Sequence, residues 1–244
     1  MSIELFFGDC FDVFPTLASG SIDMVCADIP YGTTQCSWDT PLDLPRMWLE
    51  LYRVAKPSAA IVLFSAQPFT SVLVNSNLRD WRTEWIWEKG NATGFFNVAI
   101  QPLRAHENVQ VFYRRQPTYN PQITHGHTRK KSKRKTVNSN VYGKALSLTE
   151  YDSTSRYPRD VQFFSSDKQK RKYHDTQKPL DLVRYLIETY SNPGDLVLDF
   201  TMGSGTAGVA CQLTGRNFIG IDSDPRSYST ACGRNGVDEG RHAA

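Results

Sequence analysis

Asp28, Pro30 and Tyr31 fall within four residues of one another in CADIPYG (26–32), where the apolar stretch SIDMVCAD runs out. Pro30 biases Ile29 toward an extended backbone, which fixes the direction of the Ile29 carbonyl. That carbonyl and the Asp28 carboxylate make two acceptors, the complement of the two N–H groups of an exocyclic amine. Tyr31 offers a flat face on which a planar base can stack. An aromatic amine is a poor nucleophile because its lone pair is delocalised into the ring. Two acceptors that draw the nitrogen toward tetrahedral geometry localise the pair and stabilise developing positive charge. The same residues also suit an ordinary turn, since Pro-Tyr-Gly ends strands and Asp caps the segment after them.

A second constellation lies near the other end of the chain. GSGTAG (203–208) follows the apolar run DLVLDF and precedes TAGVACQLT, and Asp222 ends the next apolar run, NFIGID. Taken alone this is the dinucleotide-binding pattern of a strand, a tight glycine turn and a helix. Asp199 argues against a pyrophosphate. It ends the strand that feeds the loop, and its carboxylate would repel a diphosphate but attract the ammonium and sulfonium of S-adenosylmethionine. Asp222 can accept hydrogen bonds from ribose hydroxyls with either ligand.

Such groups need a sheet whose strand ends share one edge. Strand and helix signals alternate along the first half of the chain, as in a mostly parallel sheet. Strands are predicted at 3–9, 21–28, 59–65, 81–89 and 108–115, with a short helix or turn at 10–18 and helices at 44–54 and near 68–78. A helix at 179–190, a strand at 195–200, a helix after the glycine loop and a strand at 217–222 complete the pattern. Between 116 and 173 the periodicity fails, which marks an inserted recognition segment or a partly disordered loop. The expected organisation is a catalytic half at 1–115, a target-recognition insertion at 116–173 and a cofactor-binding half at 174–244.

Charge supports that division. Residues 114–173 hold 15 Lys/Arg against 4 Asp/Glu, whereas the remainder is net acidic. A basic insertion on an acidic scaffold suits a polyanionic partner. RKKSKRK (129–135) concentrates Arg129, Lys130, Lys131, Lys133, Arg134 and Lys135, a density suited to phosphates. Asn138, Asn140, Arg156, Arg159 and Gln162 are polar neighbours available for base readout. The five cysteines (Cys10, Cys26, Cys36, Cys211 and Cys232) show no metal spacing or disulfide framework, so no metal is expected. No signal peptide or membrane-spanning run is evident, and a reduced, cytoplasmic location is expected. A homodimer stays open.

DIPY (28–31), HENVQVFYR (106–114), HDTQKPLDLV (174–183) and LDFTMGSGT (198–206) together resemble the motifs of the amino-methylating DNA methyltransferases. Their order, catalytic motif first and cofactor loop last, resembles the β group of that family. The resemblance implies an α/β, Rossmann-like methyltransferase fold with a mostly parallel seven-stranded sheet, helices on both faces and a basic inserted recognition segment. It implies one antiparallel strand, for which NVQVFYR is the candidate. It also assigns roles. Asp28, Ile29, Pro30 and Tyr31 would hold a flipped base, with Asp28 bordering the cofactor as well. Asp199, Thr201, Gly203, Ser204, Gly205 and Thr206 would bind S-adenosylmethionine, with Asp222 on the ribose and Asp9 and Cys10 near the adenine. Thr176, Gln177 and Lys178 would close the cofactor site from the helix that precedes the glycine-loop strand. Three departures from the family pattern stand out. Ile29 and Asp175 replace common prolines, and Phe200-Thr201 stands where Pro-Phe is usual.

The resemblance implies adenine-N6 methylation of double-stranded DNA, since Asp at the first motif position favours adenine and Ser favours cytosine. Cytosine-N4 methylation, a regulator on a methyltransferase scaffold that has lost turnover, and a dinucleotide-dependent oxidoreductase remain the alternatives.

Overall fold

Side chains that alternate between two faces build the centre of the protein. The computed structural model describes residues 1–32, 39–134, 137–139, 143–145, 149–165 and 177–239. Its first strands and helices are β1 (Ile3–Phe7), α1 (Cys10–Val13), β2 (Ile22–Ala27), α2 (Leu44–Val54), β3 (Ala55–Ser65), α3 (Phe69–Ser76), β4 (Trp81–Thr93) and β5 (Arg104–Phe112). Next come β6 (Lys130–Arg134), β7 (Val137–Ser139), β8 (Gly143–Ala145), β9 (Thr149–Ser153) and β10 (Val161–Phe164). The chain continues through α4 (Leu180–Tyr190), β11 (Leu196–Asp199), α5 (Thr206–Thr214), β12 (Asn217–Asp222) and α6 (Pro225–Asn235). Expectations that fall on Cys36, Lys135, Asn140, Asp175 and Thr176, or on the side chains of Arg134 and Asn138, lie outside the described residues.

The main sheet has the order β1-β12-β11-β2-β3-β5-β4-β10. Only β5 runs antiparallel to its neighbours, so the NVQVFYR segment supplies the one reversed strand that was expected. Along β2, Met24 and Cys26 enter one core cluster while Val25 and Ala27 enter the other. Along β3, Ala60, Val62 and Phe64 join the first cluster, and Ile61 and Leu63 join the second. The first cluster is completed by side chains of α4, α5 and α6, the second by side chains of α1, α2 and α3. Three helices therefore cover each face. That burial on both sides is why the strands read as near-continuous apolar runs.

Local signals explain the helix positions. Asp43 caps α2 by accepting from the Arg46 N–H at 3.1 Å, and Pro45 sits in the first turn. Met47, Trp48, Leu51 and Val54 then recur on the buried face.

Two expectations need correction. The sheet has eight strands rather than seven, because β10 adds to β4 in parallel and accepts the Trp87 Nε1–H on the Phe164 carbonyl at 2.9 Å. A four-residue edge strand is too short to show periodicity beside a polar run. The insertion is also narrower than 116–173. The chain divides into one unit of Met1–Asn120 with Asp160–Ala244 and a second of Pro121–Arg159. Asn120 is tied into the first unit through the carbonyls of Thr189, Glu188 and Ser191. Within the second unit, β6 pairs with β9 and β7 with β8, both antiparallel. Among the described residues no helix is long and apolar enough to cross a membrane.

The buried Trp85 indole donates to the Tyr190 hydroxyl at 2.9 Å, joining β4 to α4. Tyr190→Phe should strand that donor and cost about 1–3 kcal/mol. Trp85→Phe in the same background should add less than it costs alone. Urea denaturation of the four proteins measures the coupling, and strict additivity would show that the bond contributes nothing.

Candidate active site

The carboxyl ends of β1, β2, β11 and β12 open onto one cavity of about 1060 Å³, the edge at which open α/β sheets take ligands. Asp28, Ile29, Pro30 and Tyr31 border it, as do Asp199, Thr201, Gly203, Ser204 and Thr206 of the glycine loop. Asp9, Cys10, Gln177, Lys178 and Asp222 complete the expected set. Gly205 faces away from the cavity and toward α6.

The tetrapeptide is held from outside its own sequence. Asp39 Oδ1 accepts the N–H groups of both Tyr31 and Gly32 at 2.8 Å, which fixes the turn. Gly32 has φ +66°, and a Cβ there would lie 2.4 Å from Pro41 Cγ, so only glycine fits. The Thr201 hydroxyl donates to the Asp28 carbonyl at 3.2 Å. Among the described residues no hydrogen bond is made to the Ile29 carbonyl, while the Ile29 side chain is buried in the core.

Tyr31 differs from expectation. Its ring stacks on Phe69 with centroids 5.3 Å apart and an interplanar angle of 18°, so one face is already covered. Its hydroxyl donates to Asp28 Oδ1 at 2.8 Å. Burial pushes the phenol well above its ordinary range, and Asp28 and Glu107 add to the shift, which keeps it a donor.

Lys178, expected at the cofactor, lines the cavity and pairs with Asp28. Its Nζ lies 2.6 Å from Asp28 Oδ2 and 3.2 Å from Glu107 Oε2. Lys89 pairs with Glu107 Oε1. Burial pulls the Lys178 ammonium down, but Asp28 and Glu107 outweigh it and hold the group above the ordinary lysine range. Burial likewise pushes Glu107 up, and Lys178 and Lys89 reverse that to hold it low. Lys178 also precedes α4 rather than lying within it.

The glycine loop wraps the remaining carboxylates. Asp199 is 7% exposed, and its Oδ1 accepts the Thr201 N–H at 3.2 Å. Burial raises its carboxyl well above the usual range, the Asp28 and Asp222 charges raise it further, and among the described residues no cationic side chain opposes them. Asp222, expected on a ribose, accepts the N–H of Gly203 on Oδ2 and of Asp224 on Oδ1, both at 2.8 Å. Gly205 has φ +72°, and a Cβ there would lie 2.5 Å from Asn235 Nδ2 and 3.1 Å from Ala231 Cα. Arg234 Nη1 donates to the Ser204 carbonyl and hydroxyl at 2.7 Å and to the Thr206 hydroxyl at 3.0 Å. Asp9 caps α1 through the Phe11 N–H at 2.8 Å. The Cys10 thiol is pushed up to about 12 by burial and by Asp9, so it packs as a neutral group.

Asp39, Lys89, Asn235 and Arg234 had no signal in the sequence, because each acts on a partner distant in the chain. Glu107 was present only as part of HENVQVFYR.

In the second unit the basic run forms β6, and its charges meet acids across the strand pair. Arg129 binds Asp152 with Nε and Nη2 at 2.7 and 2.8 Å, Lys131 approaches Asp152 at 3.7 Å, and Lys133 pairs with Glu150. Lys130 and Arg159 are exposed. Arg156, expected on DNA, is engaged within the unit. Its guanidinium donates to the Tyr151 hydroxyl and to the carbonyls of Ser153, Ser155 and Thr128. That guanidinium ties the unit together.

A family model described as DNA methylase (N6_N4_Mtase) matches residues 22–232. The type II methyltransferase M1.MboII of Moraxella bovis is 28% identical over 253 residues, covering 91% of this chain and 92% of that protein. The crystal structure of the M1.HpyAVI–SAM complex superposes with a TM-score of 0.67 at 23% identity, covering 96% of this chain and 100% of that one. The cytosine-N4-specific PvuII DNA methyltransferase gives 0.69 at 14% identity, covering 98% and 88%. The family match runs from the first residue of β2 almost to the end of α6, taking in three of the four strand ends that face the cavity, and the chain belongs to the amino-methylating DNA methyltransferases.

Proposed function

We propose that this protein is a site-specific DNA adenine-N6 methyltransferase that takes its target base out of the duplex and methylates it from S-adenosylmethionine. Thr201 carries the reading. Its N–H holds Asp199 and its hydroxyl holds the Asp28 carbonyl. One residue thus joins a buried carboxylate lacking a cation to the acceptor pair for an amine. S-adenosylmethionine, when bound, supplies a methyl group on a sulfonium, an electrophile that needs no further activation. Asp199 would take the positive methionine end, and the turn at Gly203 brings backbone close to the ligand. Asp222 and Asp9 would serve the nucleoside.

The remaining work falls to the end of β2. Asp28 and the Ile29 carbonyl draw the amine nitrogen toward tetrahedral geometry and stabilise its developing charge. Tyr31 presents the face not covered by Phe69 to the base. Asp28, where cytosine-acting relatives favour serine, supports adenine. Binding of the flipped base repays its unstacking. In the second unit, Lys130 and Arg159 are the residues we assign to phosphate contacts, which position a duplex without reading it.

Digestion of DNA methylated with labelled cofactor should yield labelled N6-methyldeoxyadenosine. Label in N4-methyldeoxycytidine would overturn the base assignment. Label in neither would overturn the function.

Cofactor affinity should rise with pH through the raised titration of Asp199, which Asp28 and Asp222 face, because only its ionised form attracts a cation. Asp199→Asn should bind more weakly above that limb and lose the limb itself. Calorimetry with S-adenosylmethionine over roughly pH 5–9 measures both effects. A limb that persists in the variant assigns the titration to another group.

Tyr31→Phe removes a hydrogen bond to a charged group, typically ~1.5–3 kcal/mol. Single-turnover methyl transfer should therefore slow roughly 10- to 100-fold. An unchanged rate would make the hydroxyl incidental.

A further inference from the structure

Lys89, Glu107, Lys178 and Asp28 form a chain of alternating charge along the cavity wall. One acceptor in that chain is incomplete. Among the described residues, Glu107 Oε2 is buried and receives no well-aligned hydrogen bond, only the ion-pair contact of Lys178 Nζ at 3.2 Å. The ammonium is aimed at Asp28 Oδ2 instead, at 2.6 Å. Buried acceptors are costly to leave unmade, so the empty position on Glu107 calls for a donor that arrives at another stage.

Asp28 has the opposite condition, because both its oxygens are engaged. Oδ1 accepts from Tyr31 and Oδ2 from Lys178. A carboxylate has about four lone-pair sites, and a target amine that takes the one now held by either donor displaces that donor. The Tyr31 hydroxyl belongs to a ring held by Phe69 and by the Asp39-pinned turn. Lys178 ends in a compact ammonium on a four-carbon stem, with three donors that turn freely. It is the group that can yield. A neutral amine cannot replace an ammonium on a partly buried carboxylate unless that ammonium gains an equal partner. Glu107 is that partner, already within reach.

Resting on the reading of Asp28 as acceptor for the target amine, we propose that Lys178 is a positioning residue that is handed between two carboxylates. It holds Asp28 charged and aimed while no base is present, and it turns to Glu107 Oε2 when the amine takes Asp28 Oδ2. The transfer also moves a positive charge away from the nitrogen on which positive charge develops. Two carboxylates and one mobile ammonium thus couple base entry to the completion of the acceptor pair.

Four variants test the handover: Glu107→Gln, Lys178→Met, the double variant, and Lys178→Arg. Cofactor affinity by calorimetry should stay near the parent value in all four. Glu107→Gln leaves the ammonium on Asp28, so kcat should fall by about tenfold or more. Lys178→Met in that background removes the trapped cation and should restore kcat to the level of Lys178→Met alone, above that of Glu107→Gln. A double variant as slow as Glu107→Gln, or slower, would overturn the handover and leave the pair a structural brace. Lys178→Arg keeps the charge while its fork can hold both carboxylates at once, and it should lose kcat with unchanged cofactor affinity. Parent activity in Lys178→Arg would overturn the proposal even if Glu107→Gln does not fold. Asp28→Ala separates the two levels. Methyl transfer retained in Asp28→Ala would overturn the reading of Asp28 itself, and the handover with it.

Discussion

Asp28, Asp199 and Asp222 lie at the ends of three strands that are neighbours in the sheet, and bringing their carboxylates to one edge is electrostatically unfavourable. The rest of the site can be understood as the set of answers to that repulsion. Asp222 is answered by the backbone N–H groups of Gly203 and Asp224, which also shapes the glycine loop. Asp28 is answered by an ammonium and a phenol. Asp199 receives only the Thr201 N–H, and burial together with its two acidic neighbours raises its carboxyl. The unfavourable energy left at Asp199 is a reservoir that a cationic ligand can release on binding. Selectivity for a cation over a pyrophosphate follows from the same imbalance.

Support for these three answers comes from opposite faces of the sheet. Asn235 and Arg234 of α6 grip Gly205, Ser204 and Thr206 from the face covered by α4, α5 and α6. The tetrapeptide packs on the other side, where Ile29 sits in the core with α1, α2 and α3 and Tyr31 rests on Phe69. Thr201 bridges the strand ends between them. Phe200, a departure from the family pattern, is buried against Phe14 with centroids 5.5 Å apart. It packs in the core and also borders the cavity. Ile29, another departure, leaves its carbonyl free of competing donors while its side chain packs.

What the sequence made legible was whatever a short window encodes. The strand-end carboxylates could be read because each closes an apolar run, and the glycine turn because its spacing sits between a strand and a helix. NVQVFYR could be read as a strand from its alternating apolar residues, while its reversal was what the family resemblance implied. What escaped was set by partners far along the chain. Asp39 lies eight residues from Tyr31, and Lys178 is 150 residues from Asp28. The basic run was read from its own charges alone, whereas cross-strand pairing brings Asp152 and Glu150 against it. Arg156 was read as a charge when its geometry makes it a clamp on carbonyls. In each case the residue type was visible and its neighbour was not.

The carboxylate of the tetrapeptide takes one donor from within the motif, the Tyr31 hydroxyl, and one from Lys178, which the proposed handover makes the movable one. Pro30 and Asp39 set the backbone, Phe69 sets the ring, and the Tyr31 hydroxyl therefore aims Oδ1 in a direction that no ligand needs to change. That leaves Oδ2 and the Ile29 carbonyl as the pair able to face an incoming amine. Preorganisation of this kind is effective because the acceptors need not reorient as charge develops. In the proposed reading, the ring and the hydroxyl of one tyrosine have separate tasks. A ring alone would stack a base without fixing the acceptor geometry. A hydroxyl on a side chain with no stacked partner would fix nothing. The short sequence Asp-Ile-Pro-Tyr is the least chain that supplies acceptor, direction, rigidity and platform together.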